Sequence, residues 1–293
     1  MHKHISVLLH EIIDSLKPKN GIIIDATLGL GGHTKEILKV SKARVIGIDQ
    51  DGEALELAKN NLKDFKDRVT FIQGNFSQIE KIAKGADVLG KISGVLMDVG
   101  VSSYQFDEAS RGFSLKENGP LDMRMDKDGS LSAYEIINSW PEVEIARVLY
   151  EFGDEYESRR IAKKIVEERR KDKITSTLKL AEIIKNSVSK GRAFGKIHPA
   201  TKSFQALRIC VNDELGSLSK GLEQSLKVIK KDGILAVISF HSLEDRIVKR
   251  FFKDMASNGQ VEVLTKKPIV PTLDETRSNP RSRSAKLRVA KVL

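Results

Sequence analysis

The stretch DATLGLGGHT, residues 25–34, places three glycines within four positions, directly after the apolar run at residues 22–24. A short apolar run bounded by glycines is typical of a buried β-strand, and the apolar spacing of residues 35–40 predicts a helix immediately afterwards. The glycines therefore lie on a strand-to-helix turn, where bare backbone and a helix N-terminus can face a ligand. A tight turn alone needs one glycine, so three favour a binding site for a nucleotide-type ligand.

The composition is typical of a globular chain with a basic surface. The 293 residues include 40% hydrophobic and 31% charged residues, and 50 Lys and Arg against 40 Asp and Glu give a net charge of +10. We expect a cytoplasmic protein without membrane contact, because no apolar stretch approaches membrane-spanning length and no signal-peptide core is present. The single cysteine, Cys210, permits no intrachain disulfide, and its apolar neighbours predict a small core residue.

The positive charge predicts a polyanionic partner, and its distribution supports that prediction. After Glu275 the segment TRSNPRSRSAKLRVAKVL contains six basic residues and no acidic residue. Serines and Pro280 disfavour a helix in its first half, whereas KLRVAKVL predicts a final strand. We expect a flexible basic strip here that contacts phosphate groups.

Strand and helix patterns alternate over the first hundred residues and again near the end. Strands are predicted at residues 22–25, 44–49, 69–74, 92–98 and 233–240, with two more at VEVLT and LRVAKVL. Strands separated by helices predict a parallel sheet that is covered on both faces. A long helix is predicted over 204–229, and another is expected to begin at Ser242, with Asp245 completing a capping box.

The alternation stops between residues 105 and 204, where loop signals are followed by helical patterns without a convincing strand. The sequence therefore predicts the α/β class, with a discontinuous domain formed by residues 1–104 and 205–293. An inserted all-α domain is predicted at residues 105–204. The segment KIHPATKSFQALR, residues 196–208, joins the insert to the first domain and is interpreted as a hinge that faces RNA.

Three classes of ligand use a glycine turn of this kind. A P-loop requires Lys followed by Ser or Thr after the last glycine, but His33 and Thr34 stand there. A dinucleotide fingerprint requires Gly or Ala where Thr34 stands, which argues against a nicotinamide oxidoreductase. An S-adenosylmethionine site needs an acid after strand one, the glycine turn, and an acid after strand two. Asp25, the turn and Asp49 follow that order, and a carboxylate suits a ribose diol.

Longer motifs extend this hypothesis to a family. The chain contains, in order, HISVLLHEIIDSL, DATLGLGGHT, IGIDQD, MDVGVSSYQFDEASRGFSLKENGPLDMRMD, HPATKSFQALRICVNDEL, ISFHSLEDRIVKRFF and NPRSRSAKLRVA. With these segments the sequence resembles the bacterial methyltransferases that modify the exocyclic N4 of a cytidine in the decoding centre of 16S ribosomal RNA. The resemblance covers residues 4 to about 290, and its longest block is far more specific than the glycine turn.

The resemblance implies a Rossmann-like, S-adenosylmethionine-dependent methyltransferase sheet with an inserted helical domain for RNA recognition. It implies a 16S ribosomal RNA substrate within the small ribosomal subunit. Methyl-donor contacts are implied at Gly31, Gly32, His33, Asp49, Phe76, Asp98 and Gln105. The Phe76 ring suits adenine stacking, although a core phenylalanine would fit the same pattern. A histidine at the start of a helix also bonds local backbone readily, so His33 has two interpretations. Thr27 stands where many methyltransferases have the first glycine of the turn.

Asp98 is the predicted catalytic residue. The lone pair of a cytosine amine is delocalised into the ring, so a hydrogen-bond acceptor on its N–H would activate the nitrogen and could take the proton. Many amino-methyltransferases carry a Pro-Pro-aromatic motif after this acid, whereas Asp98-Val-Gly-Val-Ser-Ser stands here. We expect Asp98 to serve both the donor and the amine.

Other polar residues have weaker predicted roles. Ser239, His241 and Ser242 follow strand five and are candidates for contact with the RNA base; helix capping would explain Ser242 but not His241. His2, His4 and His10 are not accompanied by clustered Cys or acidic ligands, so no metal site is predicted. The alternative function is a non-catalytic RNA-binding protein. That alternative predicts a degraded donor site, but the glycines, Asp49 and Asp98 are all present.

Overall fold

The computed structural model describes residues 5–193, 195 and 197–293. Lys196, which the sequence places in an RNA-facing hinge, lies outside the described residues, as do His2 and His4. The chain divides into two compact units: Met1–Gly100 with Leu215–Leu293, and Val101–Glu214. The predicted insert at 105–204 is therefore too short, since the second unit includes four earlier and ten later residues.

The first unit contains a seven-stranded sheet. Its strands are β1 Ile22–Asp25, β2 Arg44–Asp49, β3 Val69–Gln73, β4 Ile92–Asp98, β5 Ile229–Ser239, β6 Val261–Val263 and β7 Lys286–Val292. The spatial order is β3-β2-β1-β4-β5-β7-β6. The first five strands pair in parallel, and β7 pairs antiparallel with both β5 and β6. The predicted α/β class and Rossmann-like sheet are confirmed.

Fourteen α-helices are assigned among the described residues: α1 Leu9–Leu16, α2 Gly32–Val40, α3 Gly52–Asn61, α4 Ile79–Gly85, α5 Ser103–Asp107, α6 Ala133–Ser139, α7 Glu142–Gly153, α8 Ser158–Lys171, α9 Thr177–Ser187, α10 Lys190–Ala193, α11 Thr201–Asn212, α12 Glu214–Val228, α13 Ser242–Ser257 and α14 Leu273–Ser278. The single helix predicted over 204–229 is wrong, because Asp213 adopts a left-handed conformation with φ 45° and ends α11. No helix in the described part of the chain is long and apolar enough to cross a membrane.

Apolar side chains cover both faces of the sheet. Successive residues of β4 alternate between two buried clusters: Leu96 packs in one, and Val95 and Met97 pack in the other. Strands covered on both faces are continuously apolar in sequence, which explains why the strand predictions succeed. In parallel strands the carboxyl ends lie at one edge, so the acids that end β1, β2 and β4 meet there.

The first half of the basic C-terminal segment is helical, which contradicts the expected flexible strip: α14 ends at Ser278, and Pro280–Ser284 form a 3-10 helix. The predicted final strand is confirmed, since residues 286–292 form β7 inside the sheet, between β5 and β6. Within β7, Arg288 Nε donates to Asp245 Oδ1 at 2.7 Å, and Lys291 Nζ lies 2.7 Å from Glu262 Oε2. These tail cations therefore neutralise acids of the same unit.

The second unit is built from helices α5 to α11 around its own apolar core. The family-specific block after α5 forms a tightly fixed loop. Buried Arg111 donates to the carbonyls of Arg124 and Met125, and the Asn212 amide bonds the backbone of Met123 and Met125. A Cβ on Gly119 would lie 1.9 Å from the carbonyl oxygen of Ala109. This block, the most specific part of the family resemblance, thus has a structural role within the second unit.

Candidate functional site

Three aspartates meet at the carboxyl edge of the sheet. Asp25 ends β1, Asp49 ends β2 and Asp98 ends β4. Strand β1 lies between β2 and β4, and the chain order reverses there. Ligands of open α/β sheets bind at such a switch point, outside the carboxyl ends of the strands.

Asp25 is an internal anchor for the glycine turn. Its side chain is buried, and burial raises its pKa. Thr34 Oγ donates to Asp25 Oδ2 at 2.7 Å, and the Thr27 N–H lies 3.4 Å from Oδ1. Both carboxylate oxygens are therefore bonded within the protein, and they fix the start of α2 against the end of β1.

The glycines of the turn are required for two different reasons. Gly31 has φ 79°, and a Cβ there would lie 2.7 Å from Leu62 Cδ1. Its missing side chain makes room for the apolar core, which corrects the inference that a ligand demanded all three glycines. Gly29 has φ 51°, and its Cβ direction is open, with the nearest atom 4.0 Å away. The open approach to the backbone is therefore at Gly29.

Asp49 holds the turn and still has capacity to bind a ligand. Its Oδ2 accepts the Gly29 N–H at 2.7 Å, and its Oδ1 accepts the Asp51 N–H at 2.9 Å. Burial raises the pKa of Asp49 to about 6. Because each carboxylate oxygen has two lone pairs, both oxygens can also accept bonds from a ribose diol.

Asp98 and His33 form a pair beside the turn. His33 Nδ1 lies 3.8 Å from Asp98 Oδ2, and His33 Nε2 lies 2.9 Å from the carbonyl oxygen of Val7. A carbonyl can only accept, so the proton resides on Nε2 and the lone pair of neutral His33 faces Asp98. His33 thus makes the local backbone bond that the sequence allowed, and it also reaches the predicted catalytic acid.

The Asp98 carboxylate is only partly satisfied. Its Oδ1 is buried without a hydrogen-bond partner among the described residues. Burial raises the pKa of Asp98 to about 6, and only a protonated His33 would act in the opposite direction. The Thr27 hydroxyl accepts the Asp98 backbone N–H at 2.6 Å, which explains the threonine in place of a glycine. A buried carboxylate oxygen without a partner is poised to accept a hydrogen bond.

Phe76 follows β3 and is half-buried. Its ring packs so closely on α12 that a Cβ on Gly221 would lie 2.6 Å from it. The neighbouring Asn75 donates to Gln50 Oε1 at 3.0 Å, which links the loops after β3 and β2. Phe76 is thus a core contact on one side, and its adenine contact stays a prediction.

Gln105 belongs to the second unit, where it is buried and closes the capping box of α5 with Ser102. Its predicted donor contact stays a prediction.

The residues after β5 have roles in the structure that differ from the predicted ones. His241, not Ser242, caps α13, and Glu244 completes the capping box in place of Asp245. Ser239 is buried, and its hydroxyl lies 3.4 Å from the carbonyl oxygen of Lys286. Capping therefore explains His241 and leaves Ser242 exposed.

Comparison with known proteins places this site in context. The MraW methylase family matches residues 1–293. Ribosomal RNA small subunit methyltransferase H of Clostridium botulinum (strain Kyoto / Type A2) is 48% identical, covering 99% of this chain and 98% of the relative. The protein of the same name from Sulfurihydrogenibium azorense is 47% identical, with 100% of both chains covered. A solved structure described as a putative rRNA-methylase from Clostridium thermocellum is 14% identical, covers 99% of this chain and 100% of its own, and has a TM-score of 0.49.

Proposed function

The chain belongs to the MraW methylase family, and from this premise we propose that it methylates the exocyclic N4 of a cytidine in the decoding centre of 16S ribosomal RNA, with S-adenosylmethionine as the methyl donor. The observation that supports the amine as acceptor is the unpartnered Asp98 Oδ1 at the carboxyl edge of the sheet. The curated relatives are named as small-subunit ribosomal RNA methyltransferases. We place the reaction in the cytoplasm, on RNA within the small subunit.

The residues at the sheet edge fit the donor. The open backbone at Gly29 and the start of α2 at Gly32 suit its amino-acid part, and Gly31 contributes its backbone to the same turn. Asp49 would hold the ribose hydroxyls, and the free side of Phe76 would contact the adenine. The donor supplies an activated methyl group on a sulfonium.

Asp98 and His33 would handle the proton of the amine. Asp98 Oδ1 accepts an N–H of cytosine, draws the nitrogen toward tetrahedral geometry and takes the proton after transfer. His33 Nδ1, 3.8 Å from Oδ2, can share that proton because its Nε2 is fixed on the carbonyl of Val7. The protein thereby orients the amine, which supplies much of the rate.

The chemistry of the single cysteine also favours an amine acceptor. Methylation of cytosine at C5 requires a nucleophile that adds to the ring, and a thiolate is the usual one. Cys210 is the only cysteine of the chain. Desolvation raises its pKa to about 11, so it remains protonated at neutral pH.

We propose that the second unit recognises RNA. Tyr156 is 81% exposed, and Tyr150 lies edge-on to it at 6.5 Å between ring centroids. Lys202 Nζ lies 5.4 Å from the centroid of the Tyr156 ring. Exposed aromatic rings beside a cation suit the stacking of unpaired bases.

We expect turnover to depend on pH through Asp98. Only the deprotonated carboxylate can take up the amine proton, and the pKa of Asp98 is raised to about 6. The single-turnover rate at saturating donor should therefore fall as pH is lowered through about 6, by about tenfold per unit below it. Donor affinity should weaken over the same range because Asp49 also has a pKa of about 6. A rate at saturating donor that stays constant from pH 7.5 to pH 5 would exclude Asp98 as the proton acceptor.

The proposed function is tested first by two measurements: which ligand the protein binds, and which ribosomal particle it methylates. Calorimetric titration should show binding of S-adenosylmethionine and none of NAD. Radiolabelled donor should then transfer its methyl group to unmodified small-subunit particles and not to large-subunit particles. Tight RNA binding without methyl transfer to either particle would support the alternative of a non-catalytic RNA-binding protein.

A further inference from the structure

The exposed side of α13 carries an uninterrupted row of cations. Arg246, Lys249, Arg250 and Lys253 are all exposed, and they follow the i, i+3, i+4, i+7 spacing that places side chains on one face of a helix. We call these four residues the α13 basic face. None of them forms an ion pair with the described part of the chain, and Asp254, although four residues after Arg250, does not pair with it.

On three other surface helices, α2, α4 and α7, cations pair with acids of the same helix. Lys39 pairs with Glu36 on α2, and Lys84 pairs with Glu80 on α4. On α7, Arg147 pairs with both Glu144 and Glu151. The α13 basic face instead sets like charges three and four residues apart, an arrangement that destabilises a helix. Bound anions would relieve this repulsion.

The basic character of the chain is concentrated in the same part of the sequence. Residues 215–293 contain 16 Lys and Arg against 8 Asp and Glu, whereas residues 101–214 contain 20 against 19. In strand β7, Lys286 and Arg288 both form ion pairs with Asp245. The unpaired charge available to a polyanion therefore includes α13 rather than strand β7.

Helix α13 follows directly after the carboxyl end of β5, at the edge of the sheet where Asp98 lies. The helix begins three residues after β5 ends, and Ile238 of β5 pairs with Asp98 of β4. From Arg246 to Lys253 the helix rises about 10 Å, at 1.5 Å per residue. The phosphate charges of a nucleic-acid backbone are spaced closely enough that several of them fit along a helix face of this length.

We propose that the α13 basic face binds the phosphate backbone of the RNA substrate next to the methylated nucleotide. This inference rests on the proposed function, because it takes RNA as the acceptor. Regular spacing of unpaired cations along one helix favours a linear polyanion over a small anion or an acidic protein patch.

The test compares two matched double variants of the full chain. Lys249→Gln/Arg250→Gln removes two charges from the α13 basic face. Lys230→Gln/Lys231→Gln removes two exposed charges at the amino end of β5, the opposite edge of the sheet. Binding of 16S ribosomal RNA, transcribed in vitro, is measured from 50 to 300 mM salt, together with donor affinity and the melting temperature.

We expect the α13 variant to lose about tenfold or more in RNA affinity at low salt. The slope of log affinity against log salt should become shallower by about 1.5 to 2 units, because two phosphate contacts are lost. Donor affinity should not change, the melting temperature should stay the same or rise because repulsion along α13 is reduced, and the control variant should retain the wild-type slope.

A wild-type slope in the α13 variant, or an equal loss in the control variant, would overturn the proposal. A wild-type protein that binds RNA through α13 but transfers no methyl group would instead overturn the proposed function and leave the interface standing.

Discussion

Replacing Asp98 with asparagine should lower the rate of methyl transfer by about 10²–10⁴-fold, the range typical of a positioned acid–base group. The substitution preserves size and one acceptor oxygen but removes the charge that holds the amine proton. An asparagine amide can donate to His33 Nδ1, which lies 3.8 Å from Asp98 Oδ2, so the geometry of the pair should persist. The rate is measured in single turnovers on unmodified small-subunit particles.

Donor titration separates this role from a role in donor binding. We expect the affinity of the Asp98→Asn variant for S-adenosylmethionine to change by much less than its rate. If the variant bound the donor poorly but reached the wild-type rate at saturation, Asp98 would be a donor ligand only. The proton acceptor would then have to be another group, with Ser102, His241 or water as candidates.

Replacing Asp49 with alanine should weaken donor binding by about 5–150-fold, which corresponds to roughly 1–3 kcal/mol for polar groups left unpaired. The substitution deprives two ribose hydroxyls of their acceptor. It also frees the Gly29 and Asp51 N–H groups, which donate to Asp49 at 2.7 and 2.9 Å. Calorimetry with S-adenosylmethionine gives the affinity, and thermal melting reports any loss of the turn.

Two further variants make the Asp49 result interpretable. Asp49→Asn keeps one acceptor oxygen for the turn but cannot serve the full diol, so we expect an intermediate loss of affinity. Asp67→Ala removes an exposed acid of the same unit and should leave donor binding unchanged. Wild-type affinity in the Asp49→Ala variant would exclude the ribose role.

The sequence predicted the elements and the site acids because both depend on local patterns. Apolar runs that end in Asp25, Asp49 and Asp98 reveal strands, and parallel strands bring their ends to one edge. The family resemblance implied a donor contact at His33, whereas the residue pattern alone predicts a hydrogen bond to the local backbone. The structure shows both its bond to Val7 and its approach to Asp98.

The missed features depend on contacts between distant residues. Nothing local indicates that Leu62 fills the space beside Gly31, or that Asp245 pairs with Arg288 while His241 and Glu244 form the cap of α13. The support of the site by Thr27 was missed for the same reason, because its partner, the Asp98 N–H, is 71 positions away. A hydroxyl two residues after the strand-ending acid is the one signal that could have suggested it.

The identity of the methylated atom tests the central claim most directly. Small-subunit particles that lack the modification would be incubated with the protein and isotopically labelled S-adenosylmethionine, and the 16S ribosomal RNA would be digested to nucleosides and compared with synthetic standards by mass spectrometry. We predict that the label co-elutes with N4-methylcytidine and maps to a single cytidine in the decoding centre. Label recovered as 5-methylcytidine or as a 2′-O-methylated nucleoside would contradict the assignment of Asp98 as the acceptor for an amine proton, and label on another base would contradict the cytidine assignment.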